Sequence, residues 1–185
     1  VSLTAGQWLI VMAAVVAGFI ALILPIPWPG GALGALIPAV LFPLIPLLAL
    51  ARVAPGHWRA IFGRVGWREL RLMLGFALLN LVVSMSVGAV VTAFADVTPN
   101  AAAAQLSALD AAGRVAYFAK TVPQLFGEEV ITLLPFLAIL TLLSHRLGVG
   151  RKGAILGAWV ISSLLFGLIH LPTYDWNLVQ CVVII

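Results

Sequence analysis

Charge is what this sequence has least of. Among its 185 residues, 10 are Lys or Arg and 6 are Asp or Glu, so 9% are charged against 63% hydrophobic. A soluble domain is about a quarter charged and roughly half apolar. So few charges cannot make a water-facing shell, which excludes the water-soluble globular classes. Cysteine is almost as scarce: Cys181 is the sole thiol, so it closes no internal disulfide, and no Cys or His stands at the spacing of a zinc cluster. The chain also lacks an H-E-x-x-H helix, a G-x-S-x-G elbow and any Ser or Cys beside a base. No metal and no cofactor are therefore expected. The net charge of +4 is explained by loop lysines and arginines of a membrane protein, not by nucleic acid as a partner.

What is present is a series of apolar runs separated by helix breakers, several near the roughly 20 residues that cross a hydrocarbon core. The first runs from Leu3 to Leu24, interrupted by Thr4 and Gln7 and stopped by Pro25, Pro27 and Pro29. It carries no charged n-region and is too long for a signal peptide. A second span is expected from about Gly31 to Leu50, kinked by Pro38, Pro43 and Pro46. The basic stretch Arg52 to Arg71, with Trp58 and Trp67, belongs at the headgroup level. A third span covers Leu72 to Phe94. Thr98 and Pro99 read as a helix start, leading into an alanine-rich surface segment that ends near Lys120. The fourth span is expected from about Pro123 to Leu143, the fifth from Gly153 to Leu171, stopped by Pro172. Eight residues from Leu178 onward start a sixth, about 12 Å of helix where about 30 Å is required, so the chain is expected to continue past Ile185. The fold class is all-α: a polytopic transmembrane helical bundle of five complete spans plus the start of a sixth, forming one integral membrane domain over residues 1–185.

Loop charges orient it. Arg52, Arg59, Arg64, Arg68 and Arg71 fall between spans two and three, and Arg146, Arg151 and Lys152 between four and five. The longer connection between three and four has Arg114 and Lys120 alone. The two basic loops share a side, which the positive-inside rule makes cytoplasmic together with the N-terminus.

Glu128 and Glu129 are the residues that need explaining: two adjacent acids at the expected mouth of the fourth span. At mid-membrane each acid costs about 2.5 to 3.5 kcal/mol, and such a residue is by default functional. The competing explanation is favourable interaction with the helix dipole, worth about 0.3 to 1 kcal/mol, at a solvated interface. His170 bears on the choice. It lies 17 residues after Gly153, Glu128 lies 15 before Leu143, and helical rise puts both about 22 to 26 Å from the short connection. Spans joined so tightly are expected to be antiparallel neighbours. Two carboxylates and an imidazole at one depth could act as general acid and base. Thr132, one turn beyond Glu128, either fixes a carboxylate rotamer or bonds its own helix backbone.

Phe126-Gly127-Glu128-Glu129, followed on the next span by Phe166-Gly167-Leu168-Ile169-His170, resembles the first two motifs of the CPBP family of CAAX proteases and bacteriocin-processing enzymes, also called the ABI family. Those motifs are E-E-x-x-x-R and F-x-x-x-H on consecutive helices, and the partial core resembling them covers about residues 123–185. The resemblance implies a metal-independent intramembrane endopeptidase: Glu128 is the base that activates water, Glu129 its partner, His170 the second catalytic group and Phe166 a support, with Thr132 added as a support by its helix position. It also implies a bacterial cell membrane and a peptide or protein substrate, prenylated and CAAX-type or bacteriocin-like. Leu133 stands where the first motif has its arginine, and the third motif would fall beyond Ile185. Two other readings remain open from the residues: an ion-coupled transporter relaying protons through the glutamates, and a noncatalytic membrane-interaction or immunity protein.

Overall fold

The computed structural model describes residues 3–29, 34–98 and 101–184, and these form helices and turns with no strand among them. Five helices are long and apolar enough to cross a membrane: α1 (Ala5–Ile23), α2 (Leu36–Val53), α3 (Trp67–Phe94), α5 (Ala111–Thr141, extended by a π turn through Arg146) and α6 (Arg151–Ile169). Two shorter ones are α4 (Ala101–Ala108) and α7 (Leu178–Ile184). The chain is thus an all-α integral membrane protein, and a lipid bilayer is the environment its apolar helices require. Its contacts fall into two compact units, Val1–Arg59 with Ala102–Ser163 and Ala60–Ala101 with Leu164–Ile185.

In unit 1, α1 starts at a capping box: the Gln7 N–H donates to Thr4 Oγ1 (3.3 Å) and the Thr4 N–H to Gln7 Oε1 (2.8 Å). The amide of Gln7 reaches further, its Nε2 donating to the Val53 carbonyl at 3.0 Å. One of the carbonyls that the last turn of α2 leaves open is satisfied there, and the start of α1 is tied to the end of α2. Both helices also pair along their length, and α2 pairs in turn with α5. The buried side of α2 comprises Ala39, Phe42, Pro43, Pro46 and Leu50, a helical stripe at intervals of three and four. The helix runs through Pro43 and Pro46. Pro46 has no N–H to give the Phe42 carbonyl, and that oxygen faces Gly18 of α1, where a Cβ would come within 2.5 Å of it. The Phe42 ring, fully buried, occupies the space over Gly127 of α5, so that a Cβ on Gly127 would run into the ring. Gly18, Phe42 and Gly127 therefore share one level of the unit.

The alanine-rich segment differs from expectation. Instead of one surface helix to Lys120 and a new span at Pro123, α4 ends at Ala108 and α5 starts at Ala111. Asp110 caps α5, accepting from the Gly113 N–H at 2.7 Å. The helix then passes through Pro123 and Pro135 without a break, as membrane helices tolerate when neighbours compensate. Pro99 lies outside the described residues. At the other end of α5, Leu143 contacts Gly157 of α6; within unit 1, however, the helices α5 pairs with along its length are α2 and α1, not the α6 neighbour that loop length implies.

In unit 2, α3 starts at Trp67, five residues ahead of the expected Leu72. Glu69 explains the extra turn: its Oε2 accepts the Gly66 N–H at 3.0 Å, and the acid suits the positive end of the helix dipole. No residue of α3 is buried. What ties its far end is hydrogen bonding. Thr98 N–H donates to Gln180 Oε1 and Gln180 Nε2 donates to the Thr98 carbonyl, both at 2.9 Å. Asn177 Nδ2 donates to the Asp96 carbonyl at 2.8 Å, while its Oδ1 caps α7 by accepting the Gln180 N–H at 3.1 Å. Just before this cap, Asp175 (φ 53°) and Trp176 (φ 61°) turn the chain in the left-handed region. A bulky residue there costs about 1 to 3 kcal/mol, a cost that the surrounding hydrogen bonds offset.

Candidate active site

Glu128 and Glu129 do not stand at a helix mouth. They lie 17 and 18 residues past Ala111 in the 31-residue α5, and the dipole effect fades within the first turn. The helix-start explanation of the pair therefore falls away. Depth can be read from the shared level of Gly18, Phe42 and Gly127: from Gly18 to the end of α1 at Ile23 is five residues, about 8 Å of rise. Glu128, next to Gly127, thus sits well below the end of an apolar span.

Glu128 is half-buried and Glu129 exposed, as expected for neighbours about 100° apart around a helix with 3.6 residues per turn. Gln124, one turn before Glu128, is half-buried and donates from Nε2 to Glu128 Oε1 at 3.4 Å. Thr132, one turn after, donates its hydroxyl to the Glu128 backbone carbonyl at 2.7 Å. It takes the backbone alternative and leaves the carboxylate to Gln124. Leu133 shares a face with Glu129, four residues apart, and is itself exposed, so an apolar side chain occupies the position where an arginine would pair with an acid.

His170 and Phe166 belong to unit 2. His170 directly follows the last residue of α6, is half-buried, and has φ −90° and ψ −8°. Its Nδ1 lies 2.8 Å from the Phe166 carbonyl. A carbonyl accepts and never donates, so Nδ1 carries a proton, and of the two neutral tautomers this contact selects the one whose Nε2 holds the lone pair. The Phe166 ring packs against the imidazole with centroids 4.6 Å apart, tilted by 50°. The F-x-x-x-H spacing thus has a local physical meaning: an i, i+4 pair in which one residue supplies both the carbonyl that sets the tautomer and the ring that holds the imidazole plane.

Within unit 1, the structure groups Glu128 with Gln124 and Thr132, Glu129 being adjacent in sequence; within unit 2 it groups His170 with Phe166. Sequence reasoning missed Gln124, although it stands four residues before Glu128 and hence on the same helix face. In each unit, no three His, Cys, Asp or Glu side chains among the described residues are placed to hold a metal ion. Compared with protein-family models, curated proteins and solved structures, the chain matches none.

Proposed function

We propose that this chain is an intramembrane endopeptidase in which Glu128 is the general base. The observation that carries the reading is the placement of Glu128: half-buried in the middle of α5, below the end of the neighbouring span, where a carboxylate has no structural task that an apolar residue would not do at lower cost. Gln124 donates to one carboxylate oxygen, leaving the other to take a proton from water. The resulting hydroxide equivalent adds to the peptide carbonyl carbon, and Glu128 returns the proton to the departing amine as the C–N bond breaks. The family resemblance assigns His170 the second catalytic role. The resemblance to CPBP-type proteases supports this pairing and suggests a peptide substrate of CAAX or bacteriocin type in a bacterial cell membrane. Loop charge supports a cytoplasmic N-terminus.

Glu128→Gln keeps shape and hydrogen bonding but removes the base, so turnover of a defined peptide by purified protein should fall by about 10² to 10⁴-fold with folding intact. His170→Ala should lose about as much, and the double variant should be scarcely worse than either, because residues acting as a unit are not additive. Wild-type turnover in Glu128→Gln would remove Glu128 from the mechanism.

One observation favours a second reading. Lys120, Gln124, Glu128 and Thr132 recur every four residues along α5, a polar line on one face such as a proton relay uses. Under that reading, reconstituted protein would carry protons across a vesicle membrane, Glu128→Gln would stop the flux, and no peptide would be cut.

A further inference from the structure

Where α1 ends and α2 begins, unit 1 has an open cavity of about 370 Å³, within the roughly 300 to 1,000 Å³ range of small-molecule sites. Leu22, Ile26, Trp28 and Pro38 are among the residues that line it, and α5 adds two polar side chains, Lys120 and Gln124. No acid is among the described lining residues. Nor does α5 offer Lys120 an acid one turn away on either side, since Ala116, Tyr117, Pro123 and Gln124 hold those positions. Lys120 is half-buried as a residue, and its ammonium lies over the Tyr117 ring, 5.3 Å from its centroid. A cationic residue in a cavity wall that holds no counter-charge suits an anionic ligand. A further donor is at hand: Gln124 gives one amide hydrogen to Glu128 and keeps the second.

We propose that this cavity binds a single-chain carboxylate amphiphile, a fatty acid drawn from the bilayer, with its carboxylate on Lys120 and its chain along the apolar lining residues. Charge and size together select the ligand: one ammonium balances one carboxylate but not a phosphomonoester, and a cavity of about 370 Å³ suits one acyl chain and not the two of a phosphodiester lipid. The position selects the source. Lys120 precedes Gly127 by seven residues, about 10 Å along the axis, and Gly127 is itself about 8 Å below the end of α1 by the same rise. This puts the ammonium near the ends of the apolar spans, where the head of a membrane amphiphile resides. The site does not depend on the peptidase reading, although Gln124 connects its wall to Glu128.

The test uses the purified full chain and the quenching of tryptophan fluorescence by 11-bromoundecanoic acid, with the matching bromo-alcohol as the uncharged control. The acid should quench saturably and bind at least about tenfold more tightly than the alcohol, as loss of a charge-assisted contact implies. Lys120→Met should erase that preference, Lys120→Arg should keep it, and Trp28→Phe should remove the saturable part of the quenching. Should Lys120→Met not accumulate, Lys120→Gln serves the same comparison. Equal binding of acid and alcohol, saturable quenching that survives Trp28→Phe, or unchanged affinity in Lys120→Met would overturn the proposal. Tighter binding of the matching alkyl phosphate would overturn the carboxylate assignment in favour of a phosphate headgroup, and preference for an apolar peptide acid over the fatty acid would overturn the bilayer source. Peptide turnover is measured in the same samples, so loss of one reading leaves the other standing.

Discussion

In unit 1 three helices close on one residue: Phe42 is fully buried, with Gly18 of α1 at its backbone carbonyl and Gly127 of α5 under its ring. In unit 2 the 28-residue α3 buries nothing, and its far end is fastened by the amides of Asn177 and Gln180 to the backbone of Asp96 and Thr98. The difference is physical. Lipid tails are as apolar as leucine, so apolar area alone does not drive helices together in a membrane; close packing of small residues and interhelical hydrogen bonds do. Unit 1 combines the first means with the Gln7–Val53 hydrogen bond, and unit 2 relies on the second. The acids of the candidate site lie in the packed unit, directly beside its tightest contact, which is how a costly carboxylate can be held at a fixed depth.

The largest stability effect should come from breaking that contact. Gly127→Ala and Gly18→Ala each force a methyl group into occupied space, and overpacking typically costs about 1 to 3 kcal/mol. The two should respond differently to a smaller residue at position 42. Phe42→Leu removes the ring that Gly127→Ala meets and should restore much of the loss, whereas Gly18→Ala meets the Phe42 backbone oxygen, which no side-chain change moves. Unfolding midpoints in mixed micelles measure this, and equal rescue of both variants would show that the interface is not as described.

Much of the fold was legible because apolar runs and proline clusters are local signals. The spans from Leu3 and to Phe94 were bounded by them to within a few residues. Local signals also misled. Pro123 reads as a helix start, yet the start is Asp110, a capping residue thirteen positions earlier, and this one misreading moved Glu128 from mid-helix to a helix mouth. The tautomer of His170 follows from an i, i+4 contact and could be anticipated from F-x-x-x-H. By contrast, Phe42 meets Gly127 across 85 residues of chain, and nothing in one sequence marks that pairing. Gln124 was within reach, since four-residue spacing to Glu128 is visible without any structure.

A smaller effect is expected from unit 2. Gln180→Ala removes both hydrogen bonds to Thr98, but the site is only part-buried, so water can replace them in part and the loss should be about 1 kcal/mol. Gln180→Glu keeps an acceptor for the Thr98 N–H while losing the donor, and should fall between. Hydrogen exchange resolves this locally: the Thr98 amide should exchange faster in Gln180→Ala than in Gln180→Glu, with α1 and α2 unaffected. Faster exchange throughout unit 1 would show that the two fastenings are not independent.

The smallest effect, and the one that most sharpens the comparison, belongs to the glycines of α3. A Cβ built on Gly75 or Gly88 meets nothing within 4 Å, in contrast to Gly18 and Gly127. Alanine is the better helix former by about 1 kcal/mol, so Gly75→Ala and Gly88→Ala should leave stability unchanged or raise it by up to that amount. Activity should be unaffected, since neither residue touches the candidate site. The same Gly-to-Ala change is thus destabilising at two positions and neutral or favourable at two others, with helix propensity common to all four and the neighbouring atoms alone different. Unfolding midpoints of the four single variants in one micelle composition measure the contrast. A loss of more than about 1 kcal/mol in Gly88→Ala would exceed what an open surface position allows, and would mean that another helix covers that face of α3 in the membrane.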